Sequence, residues 1–354
     1  MKRVQRVQDM LRKHKLDAFL FSSQANVFYL SGFKSSHAYV VVSRDSFHLF
    51  TDGRYYDRAK EVLKGWDVRL IKGKAISELK AFLKRLGVFR VGYEEDRVSC
   101  EIRRQLRGSL KWVGFSGFLK EIRSIKDREE IETMREGVRA SDRVYSRLLN
   151  MLSEGMRELD VRALIVREFF KEGATGESFP AIVASGEGSA IPHWETSNRR
   201  LRYKEAVLID MGLVWKGYCT DFTRTLFLGR ASSEFRRVYQ VVRDAHLYAL
   251  EKVKAGVKLG EVDKTAREYI RKKGYGKFFT HSTGHGVGIE IHEHPRVYYK
   301  GQDKDLIIEE GMVFTIEPGI YLPKKFGVRL ENIVAVINGR GEPLSGIGLD
   351  LIEL

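Results

Sequence analysis

Apolar residues at Val4, Val7 and Leu11 recur at helical spacing, so residues 1–15 are expected to form an amphipathic helix. The apolar run LDAFLF (16–21) has strand character, and AYVVVSRDSFHLFTD (38–52) reads as two strands about the polar turn SRDS. A helical pattern over 54–64, the strand WDVRLI, a helix near 75–86, the strand VFRVGYE and a helix over 99–108 follow in turn. This alternation predicts an N-terminal α/β domain of about 120 residues.

The segment KEIRSIKDREEIETMREGVRASDRVYSRLLNML keeps a helical period over some 25 residues and opens a second domain. The boundary is placed near 122, giving domains 1–122 and 123–354. After a helix over 157–172 the chain becomes rich in β-branched and aromatic strands, at 179–228 and again at 312–337. Helices near 232–254 and 259–273 separate these blocks. Paired helices and blocks of strands predict an α+β domain. All six prolines lie at or beyond residue 180, and Pro192, Pro295 and Pro318 sit beside candidate site residues, where rigid turns favour a preorganised site.

Composition adds limits. With 354 residues, 43% hydrophobic and 31% charged, two globular domains are the natural expectation. No stretch approaches the roughly 20 apolar residues of a membrane span, and the charged N-terminus lacks a signal peptide's apolar core, so a cytoplasmic location is expected. Two distant cysteines, Cys100 and Cys219, form no disulfide framework. The net charge of +15 raises the question of nucleic acid, but 62 basic residues are interleaved with 47 acidic ones. With no basic tail, RNA-binding motif or zinc-finger spacing, neither nucleic acid nor membrane is expected as a partner. A highly charged solvated surface, as in heat-adapted proteins, accounts for the balance.

Chemistry concentrates in three segments. In VLIDMGLVWKGYCTDFTRTLFL (207–228), two strands flank the turn WKG, with Asp210 in one and Asp221 in its returning partner. Ionised carboxylates in apolar strands cost several kcal/mol unless paired or metal-bound, and a cation between the two relieves both. Turn capping or pairing with Arg224 is the alternative. THSTGHGVGIEIHEHP (280–295) holds four of the chain's nine histidines, and its glycines exclude a regular helix at reasonable cost. It is neither a zincin helix nor a dinucleotide fingerprint. MVFTIEPGIYL and FGVRLENIVAVI place Glu317 and Glu331 among apolar neighbours. Period two puts Arg329 on the face of Glu331, and a salt bridge between them is the alternative there.

Taken together, Asp210, Asp221, His285, Glu317 and Glu331 carry a charge of −4, which two divalent ions neutralise. Oxygen-dominated donors favour Mn²⁺ or Co²⁺, with Zn²⁺ as a further candidate. Two such ions about 3.5–4 Å apart share a hydroxide nucleophile and polarise a carbonyl, which is hydrolase chemistry.

The motifs IDMG…GYCTDFTRT, HSTGHGVGIEIHEHP, IEPGIY and GVRLEN, in this order, resemble the "pita-bread" metallopeptidases, specifically the Xaa-Pro peptidase branch of prolidase and aminopeptidase P. SSQANVFYLSGF and TDGRYYDRA resemble the creatinase-type N-terminal domain, so the resemblance runs over nearly the whole chain. It implies a pita-bread catalytic domain preceded by an α/β creatinase-type domain. It further implies that Asp210 and Asp221 chelate one metal, that His285 and Glu317 complete the second, and that Asp221 and Glu331 bridge both. Glu317 would also shuttle the proton of the bridging hydroxide. His193 and His292 match histidines that contact substrate and stabilise the tetrahedral intermediate, His281 a substrate-side position, and Arg329 an orienting one.

The implied substrates are peptides with proline at the second position. A bond to proline has no N–H to grip, so apolar walls and recognition of the chain ends must replace that handle. Phe179, Trp194 and Tyr218 are candidates for the wall or for the core. Arg296, in HEHPR, matches a prolidase arginine suited to a dipeptide's C-terminal carboxylate, and a surface arginine is its alternative. Cys219 is expected to be a buried thiol, with a soft metal contact as the alternative. The leading expectation is an Xaa-Pro dipeptidase. Aminopeptidase P activity on longer peptides is the close rival, and methionine aminopeptidase activity or a non-catalytic peptide- or nucleic-acid-binding relative the more distant ones. A homodimer is expected by resemblance alone.

Overall fold

The computed structural model describes residues 2–354, which divide into two compact units, one ending at Ile122 and one beginning at Arg123. In the first, strands β1 (Ala18–Phe21), β2 (Ala38–Ser43), β3 (Phe47–Thr51), β4 (Asp67–Leu70), β5 (Arg90–Glu94) and β6 (Lys111–Phe115) form one mixed sheet in the order β4-β3-β2-β1-β5-β6. Helix α1 (Lys2–Lys13) precedes its first strand, and α2 (Gln24–Ser31), α3 (Tyr56–Val62), α4 (Ala75–Arg85) and α5 (Cys100–Gln105) connect its strands. Val4, Val7 and Leu11 are buried, as the helical period of α1 requires. The sequence pattern overlooks α2 and β6. In α2 the period is masked because apolar residues surround the helix; Ser23 caps its start by accepting from Asn26 N, and Gly32 ends it at φ 72°.

The long helical run at the start of the second unit is broken. A short α6 (Lys120–Ser124) ends before Ile125 and Lys126, which take an extended path: Lys126 N donates to Gly311 O at 2.8 Å. Helix α7 (Arg128–Leu149) then starts afresh at a capping box, in which Glu130 N donates to Asp127 Oδ1 and Asp127 N to Glu130 Oε2. With α8 (Glu158–Glu172) it packs on a three-stranded antiparallel sheet of β7 (Ile182–Ser185), β8 (Glu205–Met211) and β11 (Phe222–Leu228). A small ladder of β9 (Val214–Trp215) and β10 (Tyr218–Cys219) extends the β8–β11 hairpin. Its turn residues Lys216 and Gly217 both have positive φ, matching the right-handed twist of the strands.

The remaining half repeats this logic. Helices α9 (Ser233–Lys252) and α10 (Leu259–Lys272) pack on a five-stranded antiparallel sheet with the order β13-β12-β14-β17-β18. Its members are β12 (Gly284–Gly286), β13 (Glu293–Val297), β14 (Val313–Ile316), β17 (Asn332–Ile337) and β18 (Arg340–Pro343); β15 (Gly319–Leu322) and β16 (Phe326–Arg329) form a separate hairpin. The second unit is therefore two sheets, each backed by a helix pair. An isolated bridge between Thr223 and Glu331 stitches the two sheets together. No helix among the described residues is long and apolar enough to cross a membrane.

Candidate metal centre and substrate pocket

The acidic residues converge on that seam. Asp210 lies in β8, its Cα opposite Thr223 of β11. Asp221 does not sit within the returning strand as expected. It follows Thr220 in a break between β10 and β11, where Thr220 N donates to Leu213 O and its hydroxyl accepts from Leu213 N. The other sheet contributes His285 at the centre of β12, where the flanking Gly284 is obligatory, since any Cβ there would collide with the Thr315 carbonyl. Glu317 follows β14, its N–H donated to Thr283 O at 2.7 Å, and Glu331 donates to Thr223 O at 3.1 Å between β16 and β17.

All five residues line one cavity of about 680 Å³. His193, His281, His292, Arg296 and Arg329 line it too, together with the apolar side chains of Phe179, Pro180, Ile182, Pro192 and Ile291. The histidines come from separate segments: the rings of His285 and His292 lie 4.4 Å apart, whereas His193 stands exposed on the 186–197 loop.

The donor set fits a divalent cation on several counts. His285 Nδ1 faces Gly286 O at 3.0 Å, so its proton sits there, and Nε2 turns its lone pair toward Asp221 (3.5 Å) and Glu317 (3.7 Å). Burial pushes this imidazole down to about 4, keeping it neutral. Asp221, His285 and Glu331 each offer a ligand atom, all within 4.8 Å of one another. Asp221 and Glu317 are pushed well above the usual carboxylate range by burial and by their neighbouring carboxylates, and Glu331 is raised for the same reasons although Thr223 Oγ1 donates to it at 2.5 Å. Asp210 Oδ1 is buried without a hydrogen-bond partner among the described residues. Such a cluster is costly without a cation.

The salt bridge considered for Arg329 and Glu331 does not form. Arg329 Nη2 donates instead to Asp210 Oδ2 at 2.6 Å, and Nη1 to the hydroxyl of Tyr321 at 3.0 Å. Tyr321 sits 2.8 Å from His281 Nε2, while His281 Nδ1 faces Ser282 O, so the tyrosine proton points to the imidazole. Burial pushes His281 down to about 3. Tyr321 and Thr223 are functional neighbours that motif reading overlooked; the only signal for Tyr321 was its place in IEPGIY.

The structure decides several alternatives that the sequence leaves open. Arg224 pairs with neither aspartate but donates to the carbonyls of Thr223, Glu331, Ile347 and Gly348 and to Asn332 Oδ1. Of the three aromatic candidates only Phe179 lines the cavity. Tyr218 gives its hydroxyl proton to Glu130, and Trp194 its indole N–H to Glu158. Cys219 is buried, its sulfur 3.5 Å from Ile289 O. Arg296 is exposed at the cavity; Nε reaches Ser282 Oγ at 3.4 Å, and the guanidinium forms no ion pair among the described residues.

Comparison with known proteins places this geometry. Residues 132–338 match metallopeptidase family M24, and residues 3–125 match the creatinase/prolidase N-terminal domain. An Xaa-Pro dipeptidase of Pyrococcus furiosus is 32% identical over 351 residues, 99% of each chain. The solved structure of an Xaa-Pro dipeptidase from Bacillus anthracis superposes with a TM-score of 0.96 at 32% identity, covering 100% of this chain and 99% of that one. An X-Pro aminopeptidase from Thermotoga maritima gives a TM-score of 0.90 at 36% identity, over 96% and 98% of the two chains.

Proposed function

The chain belongs to metallopeptidase family M24, and from that premise we propose that it hydrolyses Xaa-Pro dipeptides with two divalent ions held at the seam. The observation that carries the reading is the acidic cluster around His285 Nε2 in a cavity that also presents Arg296. Asp210 and Asp221 would hold one ion, His285 and Glu317 the other, with Asp221 and Glu331 shared. The oxygen-rich set favours Mn²⁺ or Co²⁺ over Zn²⁺. When bound, the ions supply Lewis-acid polarisation of the scissile carbonyl and acidify a water.

The remaining steps fall to the chain's own residues. Glu317 takes the proton of the attacking water and returns it to the proline nitrogen, which leaves as a secondary amine. His193 and His292 each donate an N–H to the oxygen that becomes negative. Arg329 fixes Asp210 and, through Tyr321, the ring of His281. Phe179, Pro180, Ile182 and Ile291 offer the apolar wall for the proline ring. Arg296 receives the dipeptide's C-terminal carboxylate in a bidentate pair.

Removal of the N-terminal residue from longer peptides is the rival, favoured by the aminopeptidase relative. Rates on Ala-Pro and Ala-Pro-Ala with Mn²⁺ or Co²⁺ decide, measured on wild type, Glu317→Gln and Arg296→Ala. The dipeptide should be cleaved faster, Glu317→Gln should lose about 10²–10⁴-fold in kcat, and Arg296→Ala should raise KM for the dipeptide. Faster tripeptide cleavage that survives Arg296→Ala would establish the rival. A cytoplasmic homodimer completes the proposal.

A further inference from the structure

Glu158, the first residue of α8, is fully buried, and its carboxylate is saturated with donors. Oε1 accepts from Ser185 N at 2.9 Å and Ser185 Oγ at 2.6 Å. Oε2 accepts from Trp194 Nε1 at 2.9 Å, Ser197 N at 3.0 Å and Ser197 Oγ at 2.8 Å. Five donors fix the orientation of both carboxylate oxygens. They also have a topological meaning: Ser185 ends β7, and Trp194 and Ser197 lie where the following loop returns, so one carboxylate closes both ends of that loop.

His193 rides on this loop. Its imidazole has no hydrogen-bond partner among the described residues, so its place over the cavity depends on its neighbours. On one side the Pro192 carbonyl accepts from Arg329 Nη1 at 3.2 Å. On the other, Trp194 is fixed by Glu158, and its ring lies so close to Gly188 that a Cβ there would overlap it. The Arg329 tie belongs to the metal centre. The Glu158 tie lies outside the cavity lining.

We propose that Glu158 is a positioning residue for peptide cleavage, clasping the 185–197 loop so that His193 is held against the scissile carbonyl. The role of His193 rests on the function proposed above; the clasp does not. Glu158→Gln is the informative change. Either orientation of the amide sets its NH₂ against a backbone N–H, that of Ser185 or of Ser197, and neither can turn away. A shift of about 1 Å at a reacting group costs up to about 10²-fold, so Glu158→Gln should lower kcat on Ala-Pro by about 10- to 100-fold with little change in KM or metal content.

A double-mutant cycle separates positioning from general damage. In a His193→Ala background, Glu158→Gln should cost less than about threefold more. Hydrogen exchange should quicken at the amides of residues 193–197 while β8 and β12 keep their protection. Ser197→Ala, which removes one side-chain donor, should produce the same pattern at smaller amplitude and covers the case in which Glu158→Gln folds poorly. The clasp is overturned if loop exchange is unchanged in Glu158→Gln, and the link to His193 is overturned if the full rate loss persists without the imidazole. If wild type leaves Ala-Pro intact, the proposed function fails, and the exchange experiment still decides the clasp.

Discussion

His246 offers a stringent test of the electrostatics behind the metal centre. It lies in α9, fully buried, with Nε2 at 3.3 Å from Asn332 Nδ2. The amide cannot be turned over, because Arg224 Nη2 donates to Asn332 Oδ1 at 2.8 Å. Nε2 must therefore accept, which leaves the proton on Nδ1. An imidazolium would set N–H against N–H, close to the Arg224 cation. Burial, then that cation, push His246 down to about 3. The sign follows from linkage. Above about pH 6.5 the ring is neutral in folded and unfolded chains alike and contributes nothing. Below it the unfolded chain binds a proton that the folded one refuses, so stability falls as pH falls, until the folded ring itself titrates. Each pH unit in that window costs ~1.4 kcal/mol, or ~2.7 kcal/mol by pH 4.5. His246→Leu removes this dependence. At pH 7.5 the variant should be less stable by ~1–3 kcal/mol, since Asn332 Nδ2 loses its acceptor. By pH 4.5 it should have recovered ~2.7 kcal/mol relative to wild type. Urea titrations of both proteins in chelator, at half-unit pH steps, measure the difference, in which all other titrations cancel. A difference that stays constant from pH 7.5 to 4.5 would refute the reasoning.

Two further outcomes are expected. Glu293, beside His292, is bonded to the buried Arg123 guanidinium, which also pairs with Glu290 at 2.9 Å, and lies 3.5 Å from the buried Lys126 ammonium, so Glu293→Ala removes the ion-pair partner of Lys126 and one of two partners of Arg123. It should cost ~3–5 kcal/mol by urea titration, partly recovered in Lys126→Met/Glu293→Met, and a loss below ~1 kcal/mol would contradict this. Stripping divalent ions should lower the melting temperature of the catalytic unit. Ligand at a thousandfold excess over Kd contributes ~4 kcal/mol per site, or about 10 °C for a unit of this size, and an unchanged melting profile after verified metal removal would count against the centre.

Much of the molecule is legible in the sequence because its anomalies are local. A carboxylate amid an apolar run is energetically odd wherever that run folds, so Asp210, Glu317 and Glu331 stand out unaided, although only Asp210 lies within a strand. The break before α7 was legible too: Asp127 and Glu130 are a capping box, overridden by an apolar period that continues through it. What stayed hidden depends on partners far along the chain. Thr223 reaches Glu331 across 108 positions, and Glu158 reaches Trp194 and Ser197 across 36 and 39. Trp194 and Tyr218 stay open between substrate wall and core in the sequence for the same reason: the polar end of each meets a distant glutamate, which makes it a fixed internal strut.

The most instructive residue is Arg329, because a buried cation beside a cation site looks self-defeating. Its desolvation is offset by four donated hydrogen bonds, to Asp210 Oδ2, Tyr321 Oη, Pro192 O and Thr223 Oγ1. Each acceptor belongs to a different part of the centre. Asp210 has one oxygen committed and the other, Oδ1, left open. Tyr321 orients His281, Pro192 precedes His193, and Thr223 gives its own proton to Glu331. Charge balance alone would be met by a lysine, but a lysine's three donors on a single atom do not span acceptors so placed, whereas the planar fork of arginine does. Pairing Arg329 with Asp210 also leaves Asp221, Glu317 and Glu331 without a fixed cation, the deficit that divalent ions fill. The guanidinium thus decides how much charge the seam demands and which oxygens are turned to meet it.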